Sequence, residues 1–323
     1  MTSKFFGLCL ALTLAFSSVT AIAQVYPAKP IRFVVGYAPG GSNDILARIV
    51  GQKLSERLGQ SVIIENKPGA DSNIAAAYVA KAAPDGYTLL IGSSGTMTIN
   101  PNIYQNLPFD PEKDFIPITL FASDPLVFAV NPTFPATSLK ELVTMARAKP
   151  GSLSYASGAP PMYVATELFK KQAGVDMMHI PYKGSGPSVM AAVTGEVPLV
   201  VVSIGPALAQ LRAGKLRPLA VTAQKRAHLL PDTPTVKEAI GIDLEGGTWV
   251  GLFAPAATPS AIIDKLYSEL SIVLQSDNLK EKFASYGYDT SSMGLPPAEF
   301  GAFFRANLAK WKKVTKELNI KIN

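Results

Sequence analysis

The hydrophobic positions of the chain fall into two alternating rhythms. Short runs rich in β-branched residues, at Ile31–Val35, 61–65 and 87–91, read as buried strands. Between them apolar residues recur at helical spacing. Ile45, Leu46, Ile49, Val50 and Leu54 form one such stripe, and residues 73–82 read as an alanine-rich helix ended by Pro84-Asp85-Gly86. Residues 31–96 therefore read as β-α-β-α-β, which predicts a parallel sheet with helices on its faces. Phe115–Val130 divides into two apolar runs joined by Ala122-Ser123-Asp124-Pro125. One strand is expected to complete the first sheet and the next to open a second. Residues 138–248 repeat the pattern, with helices expected over Leu139–Ala148, 162–172, 187–193 and 206–213. Strands are expected there over 153–156, Met177–Pro181, 199–204 and 216–223. Residues 246–255 then lead back to the first sheet. Two amphipathic helices follow, 259–274 and 297–318, the second with Phe300, Phe303, Phe304, Leu308 and Trp311 on one face. The expected architecture is α/β with two lobes of similar build and two chain crossovers. Lobe I takes 24–123 and 249–323, and lobe II takes 124–248.

The first strand runs into Ala38-Pro39-Gly40-Gly41. Proline cannot donate a ladder hydrogen bond, and glycine opens backbone angles closed to other residues. Ser42 or Asn43 suits the cap of the helix that follows. Strand, glycine turn and helix together aim free N–H groups and a helix's positive end at one point. Such a turn serves either close packing or the binding of a carboxylate or phosphate. It is not GxGxxG and lacks the GK[ST] of a phosphate-binding loop. The third strand runs into Gly92-Ser93-Ser94-Gly95-Thr96. Its hydroxyls suit either a turn that serves only the loop or contacts to carboxylate oxygens. Both turns are expected at the carboxyl ends of strands, where open α/β sheets bind ligands. In the second half the loop 155–163, with Ser157 and Gly158, also follows a strand and opens a helix.

Composition narrows the chemistry. Residues 1–23 read as a secretory signal peptide, with Lys4, an apolar core over 5–16 and a cleavage site after Ala21-Ile22-Ala23. The apolar run is shorter than the ~20 residues a membrane span needs. The only cysteine, Cys9, lies inside it without the small-residue context of a lipid attachment site. The remaining chain has no thiol for a disulfide or a metal. It carries 29 basic and 24 acidic residues, a mild and dispersed excess with no nucleic-acid signature. A soluble periplasmic monomer is expected. His179 and His228 are the only histidines and neither has a second at metal-ligand spacing, so both read as structural or solvated. Thr96 stands where a hydrolase nucleophile elbow needs glycine. No cofactor fingerprint is present, and a small-acid hydrolase is the weaker alternative to a binding protein.

The ordered motifs carry a resemblance. Tyr26-Pro27-Ala28-Lys29-Pro30-Ile31-Arg32, Pro39-Gly40-Gly41, Asp44 and Ala47-Arg48 are similar to the opening of the Bug receptors of tripartite tricarboxylate transporters. The likeness continues through Glu65-Asn66-Lys67-Pro68-Gly69-Ala70, Ala83-Pro84-Asp85-Gly86-Tyr87-Thr88 and Pro181-Tyr182-Lys183-Gly184. It runs on in Leu230-Pro231-Asp232-Thr233-Pro234-Thr235 and Ala254-Pro255. The resemblance implies a type II periplasmic-binding-protein fold that holds solute between its lobes and delivers it to membrane permease subunits. A ligand sensor that docks on a signalling partner shares that fold and is the alternative. The expected ligand is a small organic carboxylate, with no cofactor, metal or nucleic acid. The expected contacts are Tyr37, Ala38, Gly40, Gly41, Ser42, Asn43, Ser93, Ser94 and Thr96 from lobe I, and Ser157, Gly158 and Ser203 from lobe II. The amides of Gly40, Gly41 and Ser42 are expected to do most of the work, with Tyr37 over the ligand body. Two departures stand out. The 155–163 loop is shorter and more proline-rich than in relatives. Where many relatives carry acidic residues, this chain reads Pro198-Leu199-Val200-Val201-Val202-Ser203. Val202 takes a position that meets a ligand ammonium in amino-acid-binding relatives, so aromatic or aliphatic acids rank above amino acids. Lys183 reads as solvated, and Trp249 as lining the hinge side of the cleft or packing an interface.

Overall fold

The computed structural model describes residues 26–321 except Glu245. The leader expected over 1–23 lies outside the described residues. Strand β1 (Ile31–Val35) leads through the glycine turn into helix α1 (Ser42–Leu58). Strand β2 (Val62–Asn66), helix α2 (Asn73–Ala80) and strand β3 (Thr88–Ser93) follow. A π-helical turn, Gly95–Ile99, and a short helix α3 (Asn100–Ile103) close this unit. β1 pairs in parallel with both β2 and β3. Strand β4 (Phe115–Val130) is a single strand of 16 residues rather than the two expected. Its first part pairs with β9 (Gly247–Pro255), and its second part pairs with β7 (Leu199–Ser203) and β8 (Arg217–Val221). Ser123-Asp124-Pro125 is thus the place where one strand leaves one sheet and joins another.

The second half is built the same way. It contains α4 (Leu139–Ala148), β5 (Leu153–Ser157), α5 (Pro160–Ala173), β6 (Met177–Pro181), α6 (Ser185–Thr194) and α7 (Ile204–Arg212). The strand order is β2-β1-β3-β9-β4 on one side of the crossing and β6-β5-β7-β4-β8 on the other. Each half therefore has the same plan: second, first, third, an inserted antiparallel strand, then the fourth. The inserted strand is β9 in one half and the far end of β4 in the other.

Burial follows the predicted stripes. Ile31, Phe33, Val35, Leu46, Val50 and Leu54 pack under α1 and α9 (Ser260–Gln275). Leu126, Phe128, Val130, Leu142, Phe169 and Leu199 fill the other half. Helix α11 (Pro297–Glu317) lays Phe300 and Phe304 against Trp249 and Phe253. Trp249 is buried in this aromatic cluster, where each fully buried large apolar side chain stabilises by about 1.5–3 kcal/mol. Three short helices are absent from the sequence reading, α3, α8 (Val236–Ile240) and α10 (Asp277–Ser285). Helix α8 has a recognisable start, because Thr235 and Glu238 form a capping box.

Candidate functional site

The carboxyl ends of β1, β3, β5 and β7 each run into a turn that opens a helical segment. All twelve expected contact residues belong to these four turns or to the strand ends that feed them. The fold brings the turns together across the two halves. A Cβ placed on Gly95 would lie 3.4 Å from the Tyr37 hydroxyl and 3.3 Å from Pro161, at the start of α5. Gly95 therefore marks where the first half touches the second.

The 38–44 turn is held by Asp44. Its carboxylate accepts from the Gly40 N–H at 2.9 Å, from Arg48 through Nε and Nη2 at 2.9 Å each, and from Asn66 Nδ2 at 2.9 Å. The same Asn66 amide donates to the Tyr37 carbonyl at 3.0 Å. Burial alone would raise the pKa of Asp44, but these donors hold it below the usual carboxylate range. The expectation for the amides is thereby corrected. Gly40 N–H is committed to Asp44, and Gly41 N–H points at the Ala38 carbonyl at 3.4 Å. The first intrahelical bond is donated by Ile45, so the first-turn amides of Ser42, Asn43 and Asp44 are the ones the helix itself leaves free. Ala38, Gly40 and Gly41 remain exposed at the turn, and Asn43 is buried. Replacing Asp44 with alanine should cost about 2–3 kcal/mol, since bonds to a charged group contribute roughly 1.5–3 kcal/mol and Arg48 can rehydrate. A urea titration of Asp44→Ala against the wild type checks this, and an unchanged midpoint would refute it.

The 93–96 turn is fully inside the protein. Ser93 Oγ lies 3.3 Å from the Tyr37 hydroxyl and 3.2 Å from Thr96 Oγ1, so these three hydroxyls share one chain of hydrogen bonds. Burial raises the Tyr37 pKa, with the Ser93 and Thr96 bonds opposing it. Ser94 Oγ and Asn43 Nδ2 are buried without a partner among the described residues. Buried polar groups are rarely left unsatisfied, and such exceptions point to an absent water or ligand.

In the second half Ser157 Oγ lies 2.8 Å from His179 Nε2. His179 is stacked between Tyr155 and Tyr163, at 5.0 and 4.6 Å between ring centroids. Burial lowers its pKa, so it is a neutral ring that holds the serine in place. A serine–histidine pair is part of a hydrolase apparatus, but Ser157 is buried and no acid is hydrogen-bonded to His179 among the described residues. Gly158 packs on the backbone of Gly184 and Ser185, leaving no room for a Cβ. Lys183 is exposed. Ser203 Oγ is 3.4 Å from Thr248 Oγ1, at the crossing between the halves. Val202 is fully buried in an apolar cluster.

Sequence reasoning missed Asp124, which it treated as part of a turn. The residue is 2 % exposed, and neither carboxylate oxygen has a hydrogen-bond partner among the described residues. It lines a cavity of about 750 Å³ beside the crossing strands, together with Trp249, Tyr288 and the loop 222–229. His228 is exposed on that loop. None of the twelve expected contacts lines this cavity.

Two half-sheets of one plan, joined by the long strand β4 that runs through both, define a two-part α/β fold with strand-end turns that open helices in each half. Residues 46–320 match the tripartite tricarboxylate transporter family receptor, and the chain belongs to that family. The protein BugT of Bordetella pertussis is 32% identical over 303 residues, covering 93% of this chain and 92% of BugT. R. palustris Rpa4515 with adipate is 36% identical with a TM-score of 0.86, covering 92% of this chain and 99% of that one. MatC (Rpa3494) from Rhodopseudomonas palustris, with bound malate, is 30% identical with a TM-score of 0.82, covering 90% of this chain and 99% of its own. The expected type II periplasmic-binding-protein architecture is the one this family adopts.

Proposed function

We propose that the chain is an extracytoplasmic receptor that captures a small organic carboxylate between its lobes. Lobe I is taken as 24–123 with 249–323 and lobe II as 124–248. After removal of residues 1–23 it works in the periplasm as a monomer and delivers its solute to the membrane permease subunits of a tripartite tricarboxylate-type transporter. The observation that carries the carboxylate is the pairing of uncommitted first-turn amides at Ser42 and Asn43 with two unpartnered buried groups, Asn43 Nδ2 and Ser94 Oγ. Backbone amides at a helix start bind an anion without a counter-ion of their own to desolvate. Relatives with bound adipate and malate support the same ligand class. Burial of Val202 in apolar packing supports aromatic or aliphatic acids over amino acids.

Ser42→Pro tests the assignment. Proline at the first helical position removes one N–H and suits the helix, and Gly41 already has the extended backbone that a following proline requires. A thermal-shift screen against mono- and dicarboxylic acids should find a ligand for the wild type. At ~100 times its dissociation constant, that ligand stabilises by about 2.7 kcal/mol. The variant should melt at the wild-type temperature when unliganded and bind at least ~10 times more weakly, the loss expected for one bond to a charged group. Undiminished binding by Ser42→Pro would refute the amide site.

A further inference from the structure

Asp124 sits where the two halves meet, and its position is unusual for a carboxyl group. It stands on β4 opposite Thr248 of β9, two residues before Leu126, which pairs with Ser203. Ser203 Oγ and the Ile204 amide at the start of α7 approach it without completing a hydrogen bond. Tyr288 packs nearby and donates its hydroxyl to the Ser42 carbonyl at 3.3 Å. One tyrosine thus links the start of α1 to the neighbourhood of Asp124.

No cation among the described residues answers this carboxyl. Lys225, Arg226, His228 and Lys310 line the same cavity, as does Asp289. Among the described residues none of them forms an ion pair with Asp124, and Arg226 is paired with Glu238. Asp289 meets the neighbouring Ser123 through backbone bonds. A buried carboxylate with no counter-charge and no completed hydrogen bond is strongly disfavoured, whereas a neutral carboxyl there needs only an acceptor for its proton.

We infer that Asp124 is a specificity residue for the carboxylate reading above: kept neutral, it donates its O–H to a second oxygen of the solute. The ligand class is then an acid whose first carboxylate lies at the Ser42 end and whose second carboxylate, carbonyl or hydroxyl oxygen reaches the crossing strands. Thr248, which lines the same cavity, supplies a hydroxyl beside that second oxygen. A carboxylic acid held neutral by an apolar site is an established way to present a hydrogen-bond donor. The group ionises near pH 8, so the donor is in place at neutral pH and is lost above that value.

The test uses calorimetric titration of the wild type, Asp124→Asn and Asp124→Ala with adipate, hexanoate and 6-aminohexanoate from pH 6.5 to 9.5. Asparagine keeps an N–H donor at the same place, whereas alanine removes it. Asp124→Ala should weaken adipate about ten- to hundredfold and leave hexanoate unchanged, the loss of one donor to a charged acceptor. Asp124→Asn should restore adipate to within about threefold of the wild type. Wild-type affinity for adipate should fall above pH 8, and the asparagine variant should show no such fall. If asparagine damages binding as much as alanine, and 6-aminohexanoate binds more tightly as pH rises, Asp124 pairs as an anion with a ligand nitrogen and the inference is overturned. If adipate binds all three proteins equally, the inference fails while the carboxylate site stands. If no mono- or dicarboxylic acid binds the wild type, both fall together. Melting curves of the unliganded variants confirm that each one is folded.

Discussion

Gly158→Ala should lower stability by about 3 kcal/mol or more, although it adds a single methyl group. An ideal Cβ at this position would lie 2.6 Å from the Ser185 amide nitrogen and closer still to the Gly184 carbonyl group. These neighbours are backbone, so no side-chain rotamer can relieve the contact. Over-packing of a well-filled site costs typically 1–3 kcal/mol, and a rigid backbone wall puts this case at the upper end. The turn that would have to move carries the Tyr182 N–H to Ser157 carbonyl bond of 2.9 Å, which joins β6 to the Ser157 loop. Ligand binding should suffer with stability, because the same displacement shifts Ser157 and the start of α5. Gly186→Ala is the control, since no atom lies within 4 Å of its added methyl and its backbone needs no special angle. For a protein of this size a loss of 3 kcal/mol corresponds to a fall of about 6–12 °C in the melting temperature. Melting curves that coincide for the two variants would contradict the packing argument.

The contrast between these two glycines shows what local pattern carries and what it does not. Gly158 lies in a strand-to-helix turn and Gly186 in the first turn of α6, both in segments of small residues and proline, and only the fold reveals which one has a chain segment against it. Much of the framework was legible, because Ile31–Val35 and the stripe from Ile45 to Leu54 are set by nearest neighbours in sequence. The strand β4 was less so. Ala122-Ser123-Asp124-Pro125 suggested a break, yet Pro125 sits at the end of the β9 ladder, where a missing N–H does little harm. Asp44 was read as a helix residue, and its link to Arg48 lies at the ordinary i,i+4 spacing. Its other partner, Asn66, arrives from β2 and makes Asp44 the post on which the 38–44 turn hangs. That joint role depends on a pairing between strands, which no local window contains. Asp124 is the extreme case. Beside a proline and a serine it has the composition of a turn, and its burial is imposed by β9 and by Tyr288, both far along the chain.

The unliganded protein should lose stability as pH rises from about 4 to about 8, and Asp124→Asn should remove most of that loss. Burial without a counter-charge pushes the Asp124 carboxyl up to about 8, with only weak opposition from Ser203 and the Ile204 amide. In the unfolded chain an aspartate titrates near 3.9. Between these values the folded protein holds a proton that the unfolded chain has released. Stability therefore falls with rising pH through this window and levels off above it. The size is on the order of a few kcal/mol, below the full linkage value because water entry and local movement relieve an ionised buried group. Asp44 acts with the opposite sign. Its pKa is depressed, so its contribution is present above about pH 4 and disappears only as the solution becomes more acid. The two effects occupy different limbs of one curve and can be separated. Denaturant titrations at pH 5, 7 and 8.5 should show the asparagine variant gaining on the wild type at each step, by about 2–4 kcal/mol over the range. The gain is largest where the wild type must either bury a charge or open the crossing to hydrate it. A constant difference between the two proteins at all three pH values would mean that Asp124 titrates as an ordinary surface carboxylate, and its place between the lobes would then be solvated.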